Sequence, residues 1–382
     1  MRFNFIIVAV LFILWKIFLF IPLIASQIFL SPRINYGYTL LPYFLQKGSV
    51  LSNFLLYPFG NFDGVYYLLI AAKGYTVNAG FFPLFPLSIH IVSLPFNNLS
   101  FLLTQYILAL FLVCVYFFTA LIVFYKLLKL DYKENIAIRS IIFLLVFPTS
   151  FFFASIYSES LFFLLSITSF YFARKKNWFW AGIAGGLLNS TRLVGIALFP
   201  ALLYEYFKNE NKKSLGKLLP IFLSPIGLIV YAFYNWHKWG NFFYFIQAQG
   251  DFHNNRSVSS IILPIQTIFR YFKILVTVDF HIYEWWIALF ELLFFIFAVI
   301  FLFIAWRKKV RISYLIFGSL CLIIPSLTGT FSGVPRYVLI IFPIFIALAL
   351  TKNKIFRIAY CVISAALLFI FFMLFSKGYF IA

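Results

Sequence analysis

From residue 5 to residue 375 the chain reads as a succession of apolar runs, each closed by charge, proline or glycine. They occupy 5–26, 101–125, 139–155, 158–173, 178–207, 218–236, 285–306, 312–328, 337–351 and 355–375. A helix needs about 20 apolar residues to cross a hydrocarbon core of roughly 30 Å. Backbone polar groups in lipid must also find partners within their own segment, so repeated runs of this length predict a bundle of spanning helices. Composition leaves no alternative solvent. Hydrophobic residues make up 64% of the chain and charged ones 10%, more apolar surface than a soluble core-and-surface architecture can carry. The fold class is therefore all-α and polytopic, in one membrane domain over 1–382, since no polar stretch is long enough to make a second. The first run follows Arg2, contains Lys16 and exceeds a signal-peptide core, so it is read as a retained span.

The balance of 30 Lys and Arg against 10 Asp and Glu gives +20. Nucleic acid is excluded as the cause, because the cations sit in short clusters between apolar runs and not along one face. The clusters are Lys126/Lys129/Lys133/Arg139, Arg174/Lys175/Lys176, Lys208/Lys212/Lys213/Lys217, Arg307/Lys308/Lys309/Arg311 and Lys352/Lys354/Arg357. Basic loops stay in the cytoplasm, where anionic membrane lipids are their partners. All five reach that side only if 178–207 breaks into two short helices near Asn189, Ser190, Thr191 and Arg192. The first of these, Trp178 to Leu188, would rise only about 17 Å. The count then becomes about eleven spans. Cys114, Cys321 and Cys361 lie inside apolar runs with no metal or disulfide spacing and are read as packing residues.

This topology collects the polar chemistry on the non-cytoplasmic side: Asp63, His90, Tyr157, Glu159, Arg192, the segment from Trp236 to Glu284, and Arg336. All four histidines, His90, His237, His253 and His281, fall there too. The cytoplasmic connections carry no glycine-rich phosphate loop. In the first external segment, from Gln27 to Ser100, Asp63 is the only acid before Asp131. Apolar surroundings suit a carboxylate to take up a proton as a general base. Equally, Asp63 could cap the helix that follows it. Phe81 to Pro86 reads as a kinked interfacial segment. Tyr67 and Tyr157 are candidates to contact substrate. So is Glu159, unless it is simply a first-turn acid favoured by the helix dipole. Arg192 is a cation inside an apolar stretch, and an arginine fork matches phosphate. Arg336 either does the same or snorkels to the interface. His237, flanked by Trp236 and Trp239, either binds phosphate or sugar or belongs to an aromatic belt. Asp251, His253 and Arg256 are weaker candidates.

Read in order, these residues resemble the PIG-V-like mannosyltransferase family. The likeness is carried by Phe62-Asp63, Tyr67-Leu68 with Ile70-Ala71, Gly74-Tyr75 and Phe81-Phe82-Pro83-Leu84-Phe85-Pro86. It continues through Phe147-Pro148-Thr149-Ser150, Tyr157-Ser158-Glu159-Ser160 and Thr191-Arg192-Leu193-Val194-Gly195, then more thinly through Pro335-Arg336-Tyr337 and Phe342-Pro343. The family usually has Trp before the acid, where this chain has Phe62. The resemblance implies a GT-C fold, with 1–235 as the catalytic module, 236–284 as an external loop and 285–382 as C-terminal helices. It also implies an inverting transfer of a hexose, most commonly mannose, from a polyprenyl-phosphate or dolichyl-phosphate donor to a lipid or glycan acceptor. Asp63 would be the base, with Arg192, His237 and Arg336 on the donor phosphate. No metal or other cofactor is expected: Asp63, Asp131, Asp251 and Asp279 include no closely spaced acidic pair. A transporter of lipid-linked sugar should show repeat symmetry, which the sequence lacks, and a non-catalytic scaffold would need neither Asp63 nor Arg192. The Phe/Ile/Asn/Lys-heavy composition leans toward a prokaryotic plasma membrane.

Overall fold

The computed structural model describes residues 5–33, 54–76, 78–96, 101–210, 214–252, 256–258 and 260–381. Arg2, Lys212, Lys213 and His253 lie outside them. Among the described residues the chain is helical and forms no strand; the only extended pairing is one isolated bridge, Ile262 with Thr328. Among the described residues, four helices are long and apolar enough to cross a membrane: Phe5–Phe29, Leu103–Leu128, Tyr283–Arg307 and Lys354–Ser376. A fifth crossing is possible through Leu215–Leu223 and Ile226–Trp239, which meet at a 42° bend. The protein is a multi-spanning membrane protein, and the three cysteines are free thiols.

Several other runs are interrupted. The run expected over 139–155 is helical only within Glu134–Leu145 and resumes as a 3-10 turn at Ser150–Phe153, because Pro148 offers no N–H to continue the ladder. Ser150 seals the gap, its Oγ donating to Leu145 O at 2.6 Å and accepting from Trp15 Nε1 at 3.1 Å. The run over 337–351 is cut at Phe342-Pro343 into Val334–Ile340 and Pro343–Ala349. The stretch 178–207 breaks near the residues expected. Trp178–Asn189 ends at Ser190, Arg192 is extended at φ −161° and ψ 150°, and Leu198–Asn209 begins after a 3-10 turn. These breaks leave fewer full-length spans than the eleven expected. The segment expected as an external loop, 236–284, carries a helix of its own, Pro264–Thr277.

The chain separates into two compact units. The first comprises Met1–Val77, Phe81–Tyr171 and Lys352–Phe380. In it, Phe5–Phe29 runs along the C-terminal helix Lys354–Ser376, and Asp63–Lys73 lies against Leu84–Ser93 and Phe101–Leu128. Its core is aromatic: Trp15 and Phe117 have centroids 5.0 Å apart, and Phe117 stacks on Phe153 at 4.2 Å. Outward faces keep Ile13, Ile17, Ile21 and Ile24 more than half exposed, as a bilayer solvent permits.

The second unit comprises Asn78–Gly80, Phe172–Thr351 and Ile381–Ala382. Tyr283–Arg307 is its central post, packed by Pro264–Thr277, Ile312–Ser326, Val334–Ile340 and Pro343–Ala349. Trp178–Asn189 approaches its neighbours backbone to backbone. A Cβ on Gly182 would stand 1.9 Å from Pro220 O, and one on Gly227 would stand 1.9 Å from Gly186 O. Small residues permit this contact, the usual device of helix association in membranes. Asn189 secures the broken end, donating to Gly185 O at 3.0 Å and Ser224 O at 2.9 Å.

Candidate functional site

In the first unit the chain passes from a 3-10 turn, Tyr57–Gly60, through Asn61 and Phe62 into the Asp63–Lys73 helix. Phe62 is the N-cap, at φ 58° and ψ −115°, and it supplies no side-chain cap. A positive φ on a bulky residue is strained and persists only where its surroundings over-determine it. Here they do. The buried Phe62 ring lies 5.2 Å from Phe375 and 5.0 Å from Phe380, and Asn61 Nδ2 donates to Phe375 O at 3.4 Å. The Tyr157 hydroxyl donates to Asn61 O at 3.1 Å and accepts the Asp63 N–H at 3.3 Å, so it bridges both flanks of the strained residue. Ile156 N–H adds a bond to Phe59 O at 2.7 Å.

Asp63 itself is the first helical residue, half-buried. The reading of it as an N-cap is thereby corrected: Phe62 holds that position and Asp63 lies inside it. Its carboxylate stands at the positive end of the helix dipole. The turn aims an acid from a fixed backbone, which is what a positioned base requires.

The other candidates of this unit do structural work. Tyr157 braces the turn, and the buried Tyr67 donates its hydroxyl to Ser158 Oγ at 3.0 Å. Glu159 is the first residue of the Glu159–Arg174 helix, the position the dipole reading gives it, and is fully buried. Tyr66 stacks on Phe81 at 5.1 Å, and Tyr75 donates to Phe81 O at 2.6 Å, which anchors the proline-rich segment.

In the second unit, cations gather around the turn that opens the Val334–Ile340 helix. Gly333 caps it at φ 86°, Arg336 lies in its first turn and is 7% exposed, and the Arg192 guanidinium lies over the Tyr337 ring at 5.3 Å. Arg256 joins them. Its Nη1 donates to Gln249 Oε1 at 2.6 Å and its Nη2 to Ser332 O at 3.3 Å. The approach to the turn is held as well: Arg270 Nη1 donates to Gly329 O at 3.3 Å, and the Phe331 N–H to Tyr271 Oη at 2.9 Å. Tyr271 also donates to the buried Glu291 carboxylate. Sequence reasoning ranked Arg256 low and passed over Glu291. An acid within a spanning helix is a signal that could have found the latter.

His237 and Trp236 are the remaining candidates of this unit. Both are exposed in the last turn of Ile226–Trp239, and Trp236 lies parallel to Phe242 at 5.3 Å. Among the described residues no hydrogen bond or ion pair joins His237 to Arg192 or Arg336. Nor do three or more His, Cys, Asp or Glu side chains gather where they could hold a metal ion among those residues.

The class defined so far is a helical, multi-spanning membrane protein, with a braced carboxylate in one unit and arginines around a glycine turn in the other. Its sequence names the kind. The family model for the mannosyltransferase (PIG-V) family matches residues 2–233, more than half of the chain, and the protein belongs to that family. The match includes Asp63, Tyr67, Tyr157, Glu159 and Arg192 and ends before Trp236, His237, Arg256 and Arg336. A search of curated proteins finds no match to the chain.

Proposed function

We propose that this protein transfers mannose from a polyprenyl-phosphate-linked donor to a hydroxyl of a lipid or glycan acceptor on the non-cytoplasmic face of the membrane, with inversion at the anomeric carbon. The observation that carries the reading is the braced turn presenting Asp63, which lies within the family match. Asp63 takes the acceptor's hydroxyl proton as the oxygen bonds to the anomeric carbon. The bond from that carbon to the donor phosphate oxygen breaks, and polyprenyl phosphate leaves with the bonding pair. A phosphate departs as a stable anion, so the two-carboxylate arrangement of glycosidases is unnecessary. Arg192 and Arg336, with Arg256 added, are proposed for the charge that builds on the phosphate. His237, exposed in the last turn of Ile226–Trp239, is proposed as a further donor to that phosphate.

No metal enters the scheme, because arginines supply the compensating charge. The basic clusters stay cytoplasmic in this reading, with Trp178–Asn189 and Leu198–Asn209 as the arms of a re-entrant hairpin and a total of about eleven passes. A GT-C architecture in a prokaryotic plasma membrane is part of the same proposal.

The test uses membranes containing the protein, a radiolabelled polyprenyl-phosphate mannose, and nucleotide-linked mannose as the competing donor. Expected is label transfer from the lipid-linked donor that persists in a chelator. Transfer from the nucleotide sugar alone, or loss on chelation with recovery on adding manganese or magnesium, contradicts the proposal.

A further inference from the structure

The Tyr283–Arg307 helix has 25 residues, a length of about 37 Å against a hydrocarbon core of roughly 30 Å. A span of that length reaches past the core, and the cluster Arg307/Lys308/Lys309/Arg311 at its end fits headgroup depth. The chain leaves through Lys308 and Lys309 and re-enters a helix at Ile312. Lys309 has φ 56°, the left-handed conformation that glycine adopts most readily at helix ends. Backbone bonds alone close this turn, Lys309 N–H to Trp306 O at 2.9 Å and Val310 N–H to Ala305 O at 3.0 Å. The lysine side chain makes no bond in that closure, so glycine would serve the backbone there equally well.

A cavity of about 340 Å³ opens beside the turn, lined among others by Lys208, Lys309, Arg311 and Trp306. One water needs only about 10–15 Å³ on this measure. The buried Glu205 holds Arg311 in place: Arg311 Nε donates to both carboxylate oxygens at 3.0 and 3.1 Å, and Nη2 donates to Asn209 Oδ1 at 3.3 Å. Ser313 Oγ donates to the same carboxylate at 2.7 Å, and Arg174 Nε lies 3.5 Å from it. Two guanidiniums therefore face one carboxylate, and the wall keeps a positive balance. Lys208 and Lys309 are exposed, and neither side chain makes a hydrogen bond or ion pair among the described residues. Trp306 is 57% exposed, in the position of an interfacial anchor.

We infer that this cavity binds the phosphate of an anionic phospholipid headgroup, with Arg311 as the fixed fork and Lys208 and Lys309 as the further cations. An arginine fork matches phosphate oxygens, and basic pockets between helices at headgroup depth select anionic lipids. Depth and the apolar walls of Val310 and Ile312 favour a lipid over free phosphate.

The test measures retention of phosphatidylglycerol and phosphatidylcholine by the purified full-length protein, using native mass spectrometry. Lys309→Gly removes the charge from a position that glycine occupies without strain, so the fold is kept. Combined with Lys208→Gln it should lower the preference for phosphatidylglycerol by about fivefold per lysine. Lys175→Gln with Lys354→Gln removes as much charge from two other clusters and should leave the preference within about twofold. An equal loss in that control, or an unchanged preference in Lys208→Gln/Lys309→Gly, overturns the site. So does displacement of the lipid by millimolar inorganic phosphate alone, which would make it a free-phosphate pocket.

Discussion

At the scale of single residues, the strained Phe62 and its neighbour Asp63 depend on one hydroxyl. Tyr157 is fully buried and its Oη serves both the Asn61 carbonyl and the Asp63 N–H. Tyr157→Phe leaves both groups short of a partner, at a cost of about 1–3 kcal/mol. Because the loss falls on the geometry of the base, we expect the turnover number to drop about tenfold or more with the Michaelis constant for donor little changed. Steady-state kinetics on the variant reads both. A second residue-scale prediction concerns Glu210. It accepts from Lys217 Nζ at 2.8 Å and Trp178 Nε1 at 3.1 Å, and these bonds, that of Lys217 foremost, hold its carboxyl below the usual value of 4.5. A carboxyl with a lowered pKa in the folded state stabilises the fold above its ordinary pKa and loses that contribution as pH falls through the lowered one. Thermal melts of wild type and Glu210→Gln should therefore differ at neutral pH and converge as the pH falls below the lowered pKa.

Among elements, the decisive one is the interrupted stretch between Trp178 and Asn209. Its break was expected from charge, on the premise that the basic clusters share a face, and the turn residues Asn189, Ser190 and Thr191 marked the place. What makes the break stable was not legible: Gly182 and Gly227 admit a backbone-to-backbone approach, and Asn189 bonds to Ser224 O, 35 residues away. Gly227→Ala sets a methyl group against Gly186 O and Ser190, which overpacks the contact by about 1–3 kcal/mol. Thermal stability in detergent should fall accordingly, while Gly216→Ala, where a Cβ meets nothing within 4 Å, should leave it within about 0.5 kcal/mol. The candidate site shows the same division. Asp63 and Arg192 stood out because each is a charge isolated in apolar sequence. Arg256 did not, since its partner Ser332 lies 76 residues further along and no local pattern reports such a pairing. The positive φ of Phe62 was equally hidden, for it arises from the ring's contacts with Phe375 and Phe380 near the other end of the chain.

For the molecule as a whole, the family match and the braced acid coincide in the first part of the chain, while the arginines at 256 and 336 lie beyond the matched residues. The bracing also reaches past the match: the C-terminal helix supplies Phe375, whose carbonyl holds Asn61 and whose ring packs on Phe62. The matched segment is thus completed by a helix that lies outside the matched residues. The central claim, that Asp63 is the base of a lipid-linked mannosyl transfer, is tested most directly by label transfer from polyprenyl-phosphate mannose in wild-type and Asp63→Asn protein at equal folded concentration. The amide keeps the size of the side chain and loses its basicity, so transfer should fall by about 10²–10⁴. Transfer by Asp63→Asn within about twofold of wild type would contradict it.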